Sequence, residues 1–141
     1  MQLITSRPKT RDEQVTLALR LVTVGLTLAT AAIHLSLGGL LFLLNAAGYA
    51  TLAAALIVPG SFAERFRWAP RLALMGYTAA TIVGWVIMGP RYDMAYLAKG
   101  IEIALIAVLV VDIARAYGGP TGLVRRISTD LSHLRNAVAG A

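Results

Sequence analysis

Four polar side chains that can do chemistry stand within long apolar stretches of this 141-residue chain: His34, Asn45, Lys99 and Glu102. An imidazole, an amide, an amine and a carboxylate can together hold the polar group of a lipid, a quinone, a haem or a metal. Polar and ionisable residues are costly inside a membrane, so each is a candidate site residue by default. These four residues are therefore the candidate residues of a ligand-binding site.

A structural role is the alternative for the same residues. Lys99 and Glu102 are three residues apart, within pairing reach on a helix, and can neutralise each other. Asn45 can bridge two helices, and His34 can bond to backbone carbonyls or water. The sequence leaves both roles open.

Metal chemistry has little support in the sequence. His34 is the one histidine in an apolar span, because His133 lies in the C-terminal tail. Haem would thus need His34 from two copies of the chain, and copper(I) would have only His34, Met88 and Met94 at a similar depth. The chain has no cysteine, which excludes thiolate sites and cysteine nucleophiles. We predict no metal site, no catalytic residue and no assignable cofactor, and the chain lacks the sequence motifs of hydrolases and of phosphate-binding loops.

The element that must carry His34 is a long apolar segment with a stripe of hydroxyl groups. Its polar residues recur every three or four positions, so on a helix they share one face: Thr16, Arg20, Thr23, Thr27, Thr30 and His34. A helix apolar enough for lipid cannot turn this stripe toward lipid. We expect the stripe to face other helices.

Composition predicts one integral membrane domain, residues 1–141, with an all-α fold. The chain is 57% hydrophobic and 14% charged, against about a quarter charged in soluble domains. Four segments have the length of a transmembrane helix: 16–37, 40–58, 71–89 and 95–117. Residues 1–15 form the cytoplasmic start of helix 1, in which Thr10 and Glu13 predict a capping box. Residues 121–138 predict an amphipathic interfacial helix.

The charges predict an up-down four-helix bundle in the cell membrane, with both termini in the cytoplasm. All of the 13 basic residues except Arg91 and Lys99 fall on one side of these spans, as the positive-inside rule requires. The basic excess then serves topology and contact with anionic lipid, with Arg125, Arg126 and Arg135 at the membrane surface, and not nucleic acid. His34, Asn45, Lys99 and Glu102 would lie in the outer leaflet.

Glycines and prolines predict where the helices end, and small residues predict which helix faces are in close contact. Gly38 and Gly39 predict the first outer turn, the Pro-Gly of residues 59–60 ends the second helix, and Pro70 is expected as the first residue of the third. Two small-residue faces predict close helix contacts: Asn45, Gly48, Leu52 and Ala55 on the second span, and Gly76, Ala80 and Gly84 on the third.

Three short motifs lie near the helix ends: the Ile-His-Leu of residues 33–35, the Phe-Leu-Leu of residues 42–44, and Lys99 near the start of the fourth span. In these motifs the chain resembles a group of small, uncharacterised prokaryotic four-helix membrane proteins. The resemblance implies the same topology and draws attention to His34 and Lys99. It brings no activity with it.

Our first functional hypothesis is a non-enzymatic membrane protein, acting as a small subunit of a larger membrane complex or as a homo-oligomer. Short loops, absent catalytic motifs and the glycine and alanine faces favour it. The alternatives are the outer-leaflet ligand site of His34, Asn45, Lys99 and Glu102, and a small oligomeric transporter. The expected partners are the lipid bilayer and other membrane subunits or further copies of the chain.

Overall fold

The computed structural model describes residues 10–140, and all regular secondary structure in this range is α-helical. The helices are α1 (Arg11–Leu37), α2 (Leu40–Ile57), α3 (Ser61–Arg65), α4 (Trp68–Met88), α5 (Asp93–Tyr117) and α6 (Pro120–Ala139). The all-α prediction is therefore confirmed. The predicted cytoplasmic start of helix 1 covers residues 1–15, of which residues 1–9 lie outside the described residues.

The predicted start and end of α1 are both observed. The Thr10 hydroxyl accepts from the backbone N–H of Glu13, and the Glu13 carboxylate accepts from the backbone N–H of Thr10 at 2.8 Å, which is the capping box. The helix then continues unbroken to Leu37. Gly38 and Gly39 follow with φ of 71° and 84°, values that glycine adopts without strain, so the tight turn is confirmed.

The connection between α2 and α4 differs from the prediction at one residue. α2 ends at Ile57, before Pro59. The short α3 intervenes, and α4 begins at Trp68, so Pro70 is the third residue of its helix and not the first. The first N–H groups of a helix have no intrahelical partner, which is why a proline fits there equally well.

Three helices of the described chain are long and apolar enough to cross a membrane: α1, α2 and α4. Their outward surfaces carry large apolar side chains, among them Leu21, Leu41, Leu44, Val83 and Ile87. The protein is therefore a membrane protein. The 25-residue α5 is as long as these helices, but it buries three ionisable side chains: Lys99, Glu102 and Asp112.

Helices α1, α2, α4 and α5 pack side by side around one core. α1 contacts α2 and α5, while α4 contacts α5 and α2. The core consists of Ala31, Tyr49, Leu56, Leu74, Leu105 and Leu109. The C-terminal part of the hydroxyl stripe faces inward as predicted, since Thr23, Thr27, Thr30 and His34 are buried. The hydroxyls of Thr23 and Thr27 donate to carbonyls of their own helix at 2.8 and 2.7 Å, a local bond that threonine readily makes.

The predicted contact face of α4 is wrong, and that of α2 is observed only in part. Gly48 allows the close approach of Tyr77 from α4, and Leu52 packs against the core, but other residues of α2 are buried more deeply. The residues that α2 buries are Ala46, Tyr49, Ala53 and Leu56, each one position after the predicted set, and Ala55 is exposed. One position is about 100° on a helix of 3.6 residues per turn. On α4, Gly76 and Ala80 are exposed and Gly84 is half-buried, so this face contacts no other helix closely.

The C-terminal helix α6 is docked by a carboxylate and not only by its apolar face. Asp130 is 2% exposed. It accepts hydrogen bonds from Arg65 Nε and Trp68 Nε1, both at 3.1 Å, and forms an ion pair with Arg126 of its own helix at 3.0 Å. Arg125 and Arg135 are exposed. Apolar side chains that remain exposed on α6 are Val124, Leu131, Leu134 and Val138. The helix thus presents basic and apolar groups outward while Asp130 fixes it to α3 and α4.

A second ion pair joins α4 to α5 at the same end of the helices. Arg71 Nε donates to Asp112 Oδ2 at 2.6 Å, and both side chains are at most 10% exposed. Arg115, three residues after Asp112, instead pairs with Asp12 of α1 at 3.4 Å. The carboxylates on this part of α5 and α1 therefore bind basic groups of other helices.

Candidate ligand-binding site

Three of the four predicted site residues line one cleft of about 490 Å³. The cleft lies at the same end of the helices as the Gly38-Gly39 turn. His34 comes from α1, Asn45 from α2 and Lys99 from α5. The other lining residues are Leu37, Leu41, Phe42, Tyr77, Ala80, Thr81, Gly84, Trp85, Met88, Gly89, Pro90, Tyr92, Ala95 and Ala98. Ligand sites typically have this size, mostly apolar walls and few polar groups.

Glu102, the fourth predicted residue, lies beneath these polar groups and is fully buried. Its Oε2 atom accepts from Lys99 Nζ at 2.5 Å and from the Thr81 hydroxyl at 3.0 Å. Its Oε1 atom lies 3.8 Å from His34 Nε2 and has no hydrogen-bond partner. The structure therefore joins His34, Lys99 and Glu102 into one cluster.

A chain of hydroxyl groups extends this cluster to α2. The Tyr49 hydroxyl lies 2.9 Å from the Thr81 hydroxyl, and Tyr49 is completely buried. A hydroxyl has one proton to donate and can accept as well. The single proton of the Thr81 hydroxyl is shared between Glu102 Oε2 at 3.0 Å and the carbonyl oxygen of Thr78 at 2.8 Å, while Tyr49 can donate to the Thr81 oxygen.

His34 is held in one orientation by its own helix. Its Nδ1 atom lies 2.9 Å from the carbonyl oxygen of Thr30, which can only accept, so Nδ1 carries a proton. The ring also packs near Phe42 and Tyr49, with centroid distances of 6.1 and 5.6 Å. The other nitrogen, Nε2, is thereby aimed at Glu102 and the cleft.

Asn45 is positioned by Tyr77 from the facing helix. The Tyr77 hydroxyl donates to Asn45 Oδ1 at 2.9 Å. This contact needs Gly48, because a Cβ atom there would lie 2.3 Å from the Tyr77 hydroxyl. Within the described chain the NH₂ group of Asn45 makes no hydrogen bond, so two donor protons remain for a ligand.

Three buried oxygens around the cluster have no hydrogen-bond partner among the described residues: Thr30 Oγ1, Thr78 Oγ1 and Glu102 Oε1. Buried polar atoms in native proteins are nearly always paired, with protein, water or a bound molecule. Three such atoms on α1, α4 and α5 therefore mark a polar region that protein groups alone leave unsatisfied.

The mouth of the cleft is built from aromatic groups and the α4–α5 loop. Trp85 Nε1 donates to the carbonyl oxygen of Pro90 at 2.9 Å, and the Arg91 guanidinium stands 4.1 Å from the centre of the indole ring, a cation–π distance. Tyr92 lines the cleft beside them, whereas Asp93 begins α5 and is exposed. These contacts fix the loop at the rim of the cleft.

The geometry gives no support to a haem or copper site. Residues 10–140 contain no group of three His, Asp or Glu side chains placed to hold a metal ion. Haem ligation by two copies of His34 would need an imidazole at the surface, and His34 is 4% exposed. Met88 lines the cleft with His34, but Met94 does not.

Sequence reasoning missed Tyr49, Tyr77 and Thr81, which connect the predicted residues to one another. The signal was present, since a tyrosine hydroxyl inside an apolar span requires a hydrogen-bond partner. The partner itself is not readable from one sequence. The structural role proposed for the same residues also has its main contact, the ion pair of Lys99 and Glu102. The structure therefore contains both this ion pair and the cleft.

Comparison with known proteins gives no further guide to this site. The chain matches no protein-family model, no curated protein and no solved structure. Its function has to be argued from the residues themselves.

Proposed function

We propose that this protein binds an amphipathic small molecule, of the lipid or quinone class, in the cleft between α1, α2, α4 and α5. The observation that carries the proposal is the cleft itself, which has apolar walls and, at its base, the side chains of His34, Asn45 and Lys99. A ligand would place its apolar part against Phe42 and Trp85 and its polar part on these three side chains. The protein is then a non-enzymatic binding protein.

The hydrogen-bonding groups favour an uncharged oxygen acceptor. Lys99 uses one donor on Glu102 and points a second at the Thr81 carbonyl oxygen, 3.4 Å away, which leaves a third. The Asn45 amide adds two donors. Because Glu102 neutralises Lys99, the base of the cleft carries no strong excess of charge. A carbonyl or hydroxyl oxygen suits such a site better than an anionic head group does.

We further propose that α1, α2, α4 and α5 all cross the cell membrane as an up-down bundle with both termini in the cytoplasm. Two features support a crossing by α5. Its ionisable residues Lys99, Glu102 and Asp112 are buried in pairs, and its outward residues include Leu97, Ile103 and Val110. The basic residues near α3 and α6 favour the cytoplasm for that end. The cleft would then open in the outer leaflet.

Blocking the cleft tests the binding proposal. Gly84 lines the cleft, and a Cβ atom there would contact nothing within 4 Å. Gly84→Leu should therefore fill the cleft without disturbing the helices. Gly76→Leu is the matched control, because Gly76 is equally open and lies on the same helix outside the cleft.

The measurement is binding of a short-chain benzoquinone and of a fluorescent diacylglycerol to the purified protein in detergent, followed by quenching of tryptophan emission. We expect at least one probe to bind to the wild type and to Gly76→Leu, and to bind at least about tenfold more weakly to Gly84→Leu, a loss of roughly 1.4 kcal/mol. Equal binding by all three proteins, or none by any of them, would contradict the proposal.

One observation favours the subunit or homo-oligomer hypothesis as a second candidate. Gly76 on α4 is exposed, a Cβ atom there would contact nothing within 4 Å, and small residues on membrane helices promote close association. Gly76→Leu should then reduce the mass of the complex extracted in mild detergent, measured by native mass spectrometry, while Gly84→Leu should not. No observation of the structure bears on a small oligomeric transporter, which stays a prediction.

A further inference from the structure

We infer a second binding site, for the phosphate group of an anionic phospholipid, at the opposite end of the helices from the cleft. Three arginines from separate parts of the chain meet there around a cavity of about 10 Å³: Arg20 on α1, Arg67 just before α4, and Arg71 on α4. Thr23, Leu56, Pro70 and Asp112 complete its lining. The inference does not depend on the cleft or on its ligand.

The arginines do not all have acceptors within the protein. Arg71 is satisfied by Asp112 at 2.6 Å and by the carbonyl oxygen of Arg67 at 3.2 Å. Arg67 binds Glu64 through its NH2 atom, but its Nε atom is buried without a partner. Arg20 makes no hydrogen bond or ion pair to any residue from 10 to 140. The Arg20 guanidinium and the Nε atom of Arg67 therefore lack an acceptor at the same cavity.

The missing acceptor is an anion. Three guanidinium groups face two carboxylates, those of Asp112 and Glu64, so the cluster carries one positive charge in excess. A cavity of this size holds about one water-sized atom. One phosphate oxygen can enter it between Arg67 Nε and Arg20, while the rest of the phosphate stays at the mouth. Arginine is the side chain best suited to phosphate oxygens.

The position of the cavity favours a lipid as the source of that phosphate. Arg20 lies nine residues into α1, about 14 Å from its start at 1.5 Å per residue. Leu17, one turn earlier on the same face, and the neighbouring Leu21 are exposed, as lipid-facing side chains are. Arginines at such boundaries extend toward the head groups. A phospholipid can therefore place its phosphate here and its acyl chains along α1.

The test is lipid binding to the intact protein in detergent by native mass spectrometry, with phosphatidylglycerol, phosphatidylcholine and inorganic phosphate as the three probes. The variant is Arg20→Gln with Arg67→Gln, and the control is Arg125→Gln with Arg135→Gln, which removes the same charge from exposed positions of α6. Arg20→Gln alone is also measured, because Arg20 holds no other residue in place and its loss leaves the fold intact.

We expect one phosphatidylglycerol to bind to the wild type and the control more tightly than phosphatidylcholine does. Both arginine variants should bind it at least about tenfold more weakly, since hydrogen bonds to charged groups are the strong ones. An equal loss in the control would overturn the inference, because diffuse charge would then explain the binding. Binding of inorganic phosphate with displacement of the lipid would also overturn it, since a free anion would then be the ligand.

Discussion

His34 Nε2 on α1 lies 3.8 Å from Glu102 Oε1 on α5, at the base of the cleft. The other oxygen of the same carboxylate is held by Lys99 and Thr81. Glu102 is thus the residue on which α1, α4 and α5 converge, and Tyr49 of α2 reaches it through Thr81. Both the stability of the helices and the shape of the cleft should depend on it.

Replacing Glu102 by glutamine should destabilise the protein strongly. The variant leaves the Lys99 ammonium group buried without its counter-charge, and breaking a buried pair in this way costs about 3–5 kcal/mol. Unfolding by sodium dodecyl sulfate in mixed micelles, followed by circular dichroism, measures the change. Glu64→Gln is the control, because Glu64 is 58% exposed and its pair should be worth less than about 1 kcal/mol.

Removing both charges of the pair should restore most of that loss. Lys99→Met combined with Glu102→Met leaves no buried charge, and exchanging a buried ion pair for apolar residues is often neutral or stabilising by about 1–4 kcal/mol. The same unfolding measurement applies. A double variant as unstable as Glu102→Gln would show that the hydrogen bonds of Thr81, and not the ion pair, hold the helices together.

Tyr49→Phe should cause a smaller loss. The change removes the one hydrogen bond between α2 and Thr81 while keeping the packing of the ring, which costs about 0.5–1.5 kcal/mol. Tyr96→Phe is the matched control, because Tyr96 is 53% exposed and its loss should stay within about 0.5 kcal/mol. If the two variants unfold alike, the chain of hydroxyl groups contributes nothing to stability.

Asp130→Asn should release α6 from the rest of the protein. Two donors from other helices, on Arg65 and Trp68, converge on this buried carboxylate, and hydrogen bonds to charged groups are worth about 1.5–3 kcal/mol each. Hydrogen exchange along residues 120–139 measures the release as a loss of protection. Asp12→Asn, at a carboxylate whose side chain is 94% exposed, should leave that protection unchanged.

Single cysteines should show which ends of the helices lie outside the cell. The chain has no cysteine of its own, so each introduced thiol reports alone. A membrane-impermeant maleimide applied to intact cells should label Ser36→Cys and Arg91→Cys, and should label Ser61→Cys and Thr121→Cys only after lysis. Labelling of Thr121→Cys in intact cells, together with Arg91→Cys, would mean that α5 does not cross.

Local features of the sequence are where prediction succeeded. The capping box of Thr10 and Glu13, the glycine turn at residues 38–39 and the end of α2 before Pro59 each depend on neighbouring residues alone. The inward direction of Thr27 and His34 could also be predicted from one helix alone, because a polar stripe on a lipid-embedded helix has to face other helices and not lipid.

The orientation of α2 and the partners of the charges were decided by the tertiary structure. Nearly every residue of α2 is apolar or small, so its sequence has no polar stripe to choose between the face with Gly48 and the face with Tyr49. The partner of Asp112 was likewise decided by packing, since Arg71 on another helix binds it although Arg115 is only three residues away.

The sequence by itself therefore determined the long helices, most of their ends, their apolar character and the height of His34, Lys99 and Glu102 along the helices that carry them. Only the tertiary structure decided that these three residues meet, that Thr81 and Tyr49 join them, and that Asp130 is buried. The physical reason is that position along a helix fixes height at about 1.5 Å per residue. Rotation about the helix axis depends instead on the shapes of the helices packed against it.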